Sequence, residues 1–405
     1  MLKLRKNLQK FALSCFILSC GSATIAQTIN SAPPNAISNI KIAATKPGTL
    51  LSIQAQEPSL LLSHAAQRYL ITYRSRGVNN EPIVTSGYIV LPKGQSPKGG
   101  WPIIAWAHGT TGVADTCAPS GDYQNGPVNS YQNVAEKALN AWLAKGYAVV
   151  ATDYQGLGTP GGHPYMNAVS QLHTVVDSVR ALHSFKPKSF SKTWYVMGHS
   201  QGGAAALTVA AYGQKDAPEY NLAGAIALAP GGYKYEGIAE YVEENPKPAV
   251  NVVAFFPIVL LGAEAADPTL SPDHLVSKEM QVILNSGRSR CLSELQTDLK
   301  KPPESIFKPN ANLAPLIAYL KKQSIEYMTP TVPLMIVQGT QDQLVDYHGT
   351  YAYYQQQCKA GKSINYHPLP NGDHRDSLRQ SEFLIGDFIN AVEQKRKIST
   401  CGQTQ

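Results

Sequence analysis

Gly198-His199-Ser200-Gln201-Gly202 is a GxSxG pentapeptide, and its flanks make it informative. Trp194-Tyr195-Val196-Met197 before it has the apolar character of a buried strand, and Gly203-Ala204-Ala205-Ala206-Leu207 after it opens a helix. A strand that turns into a helix this abruptly forces the central residue into a strained backbone and lifts its hydroxyl out of the sheet, while the flanking glycines leave room. A serine hydroxyl is a weak nucleophile at neutral pH. It needs a base to take its proton and a carboxylate to orient that base. The chemistry these residue types would perform is acyl transfer through Ser200.

In this kind of arrangement the acid and then the base follow the serine along the chain. Leu334-Met335-Ile336-Val337 reads as a strand, and Gly339-Thr340-Gln341-Asp342-Gln343-Leu344-Val345 carries Asp342 in the loop beyond it. Asp346 is the competing acid; its other reading is a helix cap. Farther on, Pro368-Leu369-Pro370-Asn371-Gly372-Asp373-His374 is a turn-rich loop that delivers His374 as the base. His367 reads as a strand residue and His348 as a helical one, either of them structural. Negative charge on the reacting carbonyl requires fixed backbone N–H groups. The loop His108-Gly109-Thr110-Thr111-Gly112 follows an apolar strand, so Thr110 is expected to supply one donor, with Thr111 the alternative, and Gln201 the other. Asp153-Tyr154-Gln155-Gly156-Leu157-Gly158 lacks the third glycine of a dinucleotide loop; it reads as a structural turn, with Asp153 and Tyr154 as candidates for the pocket wall or its support. Asp177 and Arg180, three apart on a helical stretch, read as a local pair.

The elements that must hold these residues alternate. Residues 68–75 and 85–91 read as an antiparallel hairpin. Short apolar runs at 103–107, 148–152, 193–197, 223–229, 334–338 and 364–367 read as strands, with helices at 134–144, 166–183 and 203–212 and two more after Tyr347 and Leu378. Strands this continuously apolar predict a mostly parallel sheet covered by helices on both faces. The alternation breaks over residues 233–328, too long for a plain connection, which are expected to form an inserted cap. The main domain would then comprise residues 48–232 and 329–405.

Residues 1–26 read as an export signal: Lys3, Arg5, Lys6 and Lys10 precede an apolar stretch too short to span a bilayer. The rival is a lipoprotein cut before Cys20. Residues 27–47 read as a flexible segment. Residues 1–26 hold four Lys and Arg and no acid, so the rest of the 405-residue chain carries only +3, 31 Lys and Arg against 28 Asp and Glu. With no basic run interleaved with aromatics, nucleic acid is not an expected partner. Beyond residue 26 stand Cys117, Cys291, Cys358 and Cys401, an even number suited to two disulfides outside the cytoplasm, and sequence permits three pairings. No CxxC or HExxH spacing points to a metal, and no cofactor is expected.

Taken together, Tyr73-Arg74-Ser75, the Trp106 to Gly112 loop with Cys117-Ala118-Pro119-Ser120, the Asp153 to Gly158 loop, the Ser200 motif and the Asp342 and His374 loops resemble the secretory lipase family, a group of α/β-hydrolases that includes fungal lipase A and exported bacterial esterases. The resemblance implies an α/β-hydrolase fold, hydrolysis of carboxylic esters, a cap inserted before the acid-bearing strand, and an acyl-binding tunnel beneath it. It also supports a Cys117–Cys291 pairing, which would leave Cys358 to Cys401. The apolar run from Asn251 to Leu261 would line the tunnel or form the cap's own core, with Phe255, Phe256 and Tyr154 the candidate substrate contacts. The expected partner is a small-molecule or lipid ester, with transient contact to a lipid interface left open. Competing readings are an exported peptidase, an aryl-ester or polyester hydrolase, and a catalytically silent binding protein on the same fold.

Overall fold

The computed structural model describes residues 42–244 and 249–402; the export signal and the Cys20 site lie outside the described residues. Strands β1 (Leu50–Gln56), β2 (Ala65–Arg76), β3 (Pro82–Pro92), β4 (Trp101–Ala107), β5 (Ala148–Thr152), β6 (Phe190–His199), β7 (Asn221–Leu228), β8 (Leu334–Gly339) and β9 (Ile364–Leu369) form one sheet in the order β1-β2-β3-β5-β4-β6-β7-β8-β9. The first three pair antiparallel, β3 pairs antiparallel with β5, and every pairing from β5 to β9 is parallel. Strand β1 was not among the expected elements. Its signal is the alternation of Ser52, Gln54 and Gln56 with Ile53 and Ala55, a period-2 pattern at a sheet edge.

The parallel strands read as unbroken apolar runs because both faces are covered. Ile103, Ala105, Val150, Val196 and Ile336 point into one cluster with Val175 and Leu182 of helix α2 (Ala168–Phe185) and Leu207 and Val209 of α3 (Gln201–Asp216), after α1 (Asn129–Ala144) in the chain. Their neighbours Ile104, Trp106, Val149, Met197 and Val337 point to the other side, against Ala135, Leu139 and Leu143 of α1. Alternate side chains therefore bury on opposite faces, as the pleat requires.

Between β7 and β8 the chain forms α4 (Gly237–Glu244), α5 (Val250–Val253), α6 (Phe256–Ala266), α7 (Lys278–Gly287), α8 (Leu292–Asp298) and α9 (Ala314–Gln323). Its buried side chains, Val253, Phe256, Ile258 and Met280 among them, are continuous with the core cluster on the α2 and α3 face. Cys117 is bonded to Cys291 at the start of α8, and the Leu292 N–H donates to Thr111 O at 2.8 Å, so this insertion is fastened to the loop after β4. After β8 come α10 (Tyr347–Lys359), α11 (Asp376–Arg379) and α12 (Glu382–Glu393), with Cys358 bonded to Cys401.

Asp177 is more than a local pair. Its fully buried carboxylate accepts from Ser75 Oγ at 2.9 Å and from Arg76 at 3.1 Å as well as from Arg180 at 2.7 Å, and Arg76 also grips Asp216. The network ties β2 to α2 and α3. Helical spacing revealed only the Arg180 contact, because Ser75 and Arg76 lie about a hundred residues away in sequence.

Candidate active site

Ser200 sits between β6 and α3 with φ 58° and ψ −115°, a left-handed conformation that a non-glycine residue adopts at a cost of about 1–3 kcal/mol. The turn is closed by Ser200 N–H to Leu228 O at 2.9 Å and by Gly231 N–H to Ser200 O at 3.1 Å. It also demands glycine on both sides. A Cβ on Gly198 would come within 1.9 Å of the Gly202 carbonyl oxygen, and one on Gly202 within 1.9 Å of that of Ala107.

The Asp342 carboxylate is fully buried and saturated. Its Oδ1 accepts from the Leu344 and Val345 N–H groups at 2.9 and 3.0 Å, and its Oδ2 accepts from Gln338 Nε2 at 2.9 Å and from His374 Nδ1 at 2.7 Å. This leaves His374 Nε2 as the nitrogen free to take a proton. Asp346, the rival acid, instead caps α10 through bonds from the His348 and Gly349 N–H groups, each 3.0 Å. His367 bonds Asn365 on β9 and His348 is exposed on α10, so neither meets Ser200. Among the described residues Ser200 Oγ makes no hydrogen bond.

The loop after β4 is pinned from four directions. Tyr154 OH donates to His108 O at 2.8 Å, Gly109 N–H donates to Tyr131 OH at 2.6 Å, Thr110 Oγ1 bonds Tyr165 OH at 2.8 Å, and Thr111 O takes the Leu292 bond. Among the described residues the backbone N–H groups of Thr110 and of Gln201, the first residue of α3, have no acceptor. The Gln201 side chain is held in turn, its Nε2 on His163 Nε2 at 3.1 Å while His163 Nδ1 meets Gln155 O at 2.8 Å. The carbonyl can only accept, so His163 carries its proton on Nδ1 and receives the Gln201 bond on Nε2. Burial holds His163 down to about 3, which keeps it neutral. Asp153 lies behind the same region, accepting from Ser86 Oγ at 2.7 Å and from the Ser120 N–H at 2.9 Å.

Ser200, Gln201 and Asp342 open onto one cavity of about 580 Å³, whose walls include Tyr165, Val252, Phe255, Val259 and Val345. Two expected substrate contacts are not on this wall. Tyr154 is fully buried with φ 68°, its hydroxyl spent on His108, so it supports the loop from behind. Phe256 is 1% exposed and points into the core. Helical geometry separates it from Phe255: Val252, Phe255 and Val259 recur at three- and four-residue spacing and share a face, whereas residue 256 is turned about 100° away. Tyr131, Tyr165 and His163 escaped the sequence reading, since each lies far from the motifs it supports. Among the described residues no cluster of three or more His, Cys, Asp and Glu is placed to hold a metal ion.

A family model described as Secretory lipase matches residues 127–380. Lipase A of Moesziomyces aphidis is 24% identical over 330 residues, covering 76% of this chain and 68% of its own, so this chain spans about two thirds of that relative's length. The X-ray structure of Candida antarctica lipase A in its closed state superposes with a TM-score of 0.75 at 18% identity, covering 89% of this chain and 86% of that one. A ligand-bound form of the rice cell wall degrading esterase of Xanthomonas oryzae does so with 0.66 at 19%, covering 86% and 98%. At such identities the structural likeness speaks for the fold.

Proposed function

The chain belongs to the secretory lipase family, and from that premise we propose that it is an exported hydrolase of carboxylic esters with Ser200 as nucleophile, His374 as base and Asp342 as the group that orients the base. The observation that carries this reading is the 2.7 Å bond from His374 Nδ1 to the buried, fully satisfied carboxylate of Asp342, a residue that lines the same cavity as Ser200. In the reaction Ser200 Oγ attacks the ester carbonyl as His374 Nε2 takes its proton, and the carbonyl oxygen becomes an anion held by the Thr110 and Gln201 N–H groups. His374 then returns the proton to the departing alcohol. Water, deprotonated by the same histidine, releases the acid from the acyl-serine. No cofactor enters.

The apolar wall formed by Val252, Phe255 and Val259 favours acyl chains longer than acetate, as in glycerides or other lipid esters. Export through residues 1–26 accords with the family, and the mass of the mature N-terminus separates cleavage near Gln27 from a lipid-modified Cys20. The deciding experiment is fluorophosphonate labelling of the mature protein together with ester and amide substrates of matched structure. Label on Ser200 with ester turnover supports the proposal. Label without ester turnover, or faster amide cleavage, overturns it.

A further inference from the structure

His199, the residue before the nucleophile, is almost fully buried, and its two ring nitrogens are both engaged. Its Nε2 lies 3.1 Å from the backbone oxygen of His374, and its Nδ1 lies 3.3 Å from Tyr131 OH. A carbonyl oxygen can only accept, so Nε2 carries the proton and Nδ1 is left to accept from the tyrosine hydroxyl. That hydroxyl in turn accepts from the Gly109 N–H at 2.6 Å. The directions agree along the whole line: Gly109 N–H to Tyr131 OH, Tyr131 O–H to His199 Nδ1, His199 Nε2–H to His374 O. Burial, with His374 beside it, pushes His199 well below the ordinary histidine range and keeps this neutral tautomer.

The rings reinforce the chain. His199 stacks on Tyr131 with centroids 5.8 Å apart and meets the His374 ring at 4.6 Å, while Ser377 Oγ donates to the same His374 carbonyl at 3.0 Å. Glycine is required at 109 because a Cβ there would lie 2.9 Å from Tyr131 OH and 3.1 Å from His199 Nδ1, wedging the two apart.

We propose that His199 is a positioning residue for the reaction, one that fixes the backbone of the base to the loop carrying the Thr110 donor through Tyr131. It bonds the main chain of His374 and packs against its ring, so it sets the position of the imidazole, and being off the cavity wall it leaves substrate binding alone. Three loops, after β4, β6 and β9, are thereby held to one geometry. This rests on the assignment of His374 as base and Thr110 as anion donor.

The test uses the mature, disulfide-bonded protein with one good ester substrate. His199→Phe keeps a ring but neither nitrogen, and misplacement of a base by a fraction of an ångström is expected to lower kcat about tenfold to a hundredfold with KM little changed. His199→Gln keeps an N–H near the position of Nε2 and recovers most of that loss; His199→Asn keeps only a group near Nδ1 and recovers little. Tyr131→Phe gives a smaller fall in kcat, and adding it to His199→Phe costs nothing further, because both break one chain. Tyr131→Phe also decides the matter should His199→Phe not fold. Unchanged kcat in either single variant, equal loss in Gln and Phe, or additive losses in the double variant overturns the proposal. Ser200→Ala run alongside reports on the underlying reading: ester turnover surviving in it would refute the serine mechanism, whatever the His199 variants do.

Discussion

Phe255 and Phe256 are adjacent in sequence and opposite in surroundings, so substituting each by alanine separates substrate selection from stability. Phe255 faces the cavity beside Val252 and Val259, and Phe256 is 1% exposed within the core. Each methylene that an acyl chain buries against a complementary wall contributes about 0.8 kcal/mol, nearly fourfold in kcat/KM. Four methylenes, from a C4 to a C8 ester, could therefore raise kcat/KM by up to roughly two hundredfold in the unmutated enzyme. Phe255→Ala removes one side of that wall and should cost the contact of one or two methylenes, flattening the rise by about fourfold to fifteenfold, with a small change in stability. Phe256→Ala leaves a cavity in the core and should destabilise by about 3–5 kcal/mol, while the chain-length profile of the folded fraction keeps its slope. The assay is initial rates on p-nitrophenyl esters from C2 to C12, paired with thermal unfolding of each variant. A flattened profile in Phe256→Ala alone would refute the assignment of the two faces. A profile peaking at C2–C4 in the unmutated enzyme would refute the lipid-ester reading itself.

Asp342→Asn should lower kcat by roughly 10³–10⁴, since the base loses its orienting acceptor, whereas Asp346→Asn should leave kcat near normal and weaken only the cap of α10, by about 1 kcal/mol or less. The reverse order in steady-state kinetics would move the acid to Asp346. Closing the 174-residue loop between Cys117 and Cys291 stabilises by about 5 kcal/mol in the chain-entropy model, and the 43-residue loop between Cys358 and Cys401 by about 4. The Cys117→Ser/Cys291→Ser variant should therefore unfold at the lower denaturant concentration of the two double serine variants, and it alone should lose activity before global unfolding, because its bond fastens the loop after β4. His163 falls to about 3 when folded and returns to about 6.5 when unfolded, so the unfolded chain binds more protons between those values. Its contribution is complete above pH 6.5 and is lost as pH falls toward 3. His163→Gln, which can still accept from Gln201, should make the fall in unfolding free energy below pH 6.5 less steep, and an unaltered slope would show that His163 titrates normally.

The residues that could do chemistry were legible in the sequence because their requirements are local. Strand, strained turn and helix follow one another directly from Phe190 to Asp216 around Ser200, and Asp342 and His374 each lie in a turn-rich loop directly beyond an apolar strand. The parallel sheet was legible for a similar reason, since strands buried on both faces cannot hide their apolar runs. What stands around those residues depends on contacts between distant segments. Nothing near Tyr154 in sequence says that its hydroxyl will meet His108, 46 residues earlier, and nothing near Asp177 announces Ser75 and Arg76. The apolar run from Val252 to Leu261 gave no hint that Phe255 lines a cavity and Phe256 the core, because both sides of a buried helix are apolar and only the packing decides which side a cavity is left on. The line from Gly109 through Tyr131 and His199 to His374 joins four segments that no sequence period relates. Local backbone chemistry thus determined the candidate reacting groups, and tertiary packing alone decided what holds them in register, because a hydrogen bond between segments exists only once the sheet has brought their loops to one edge.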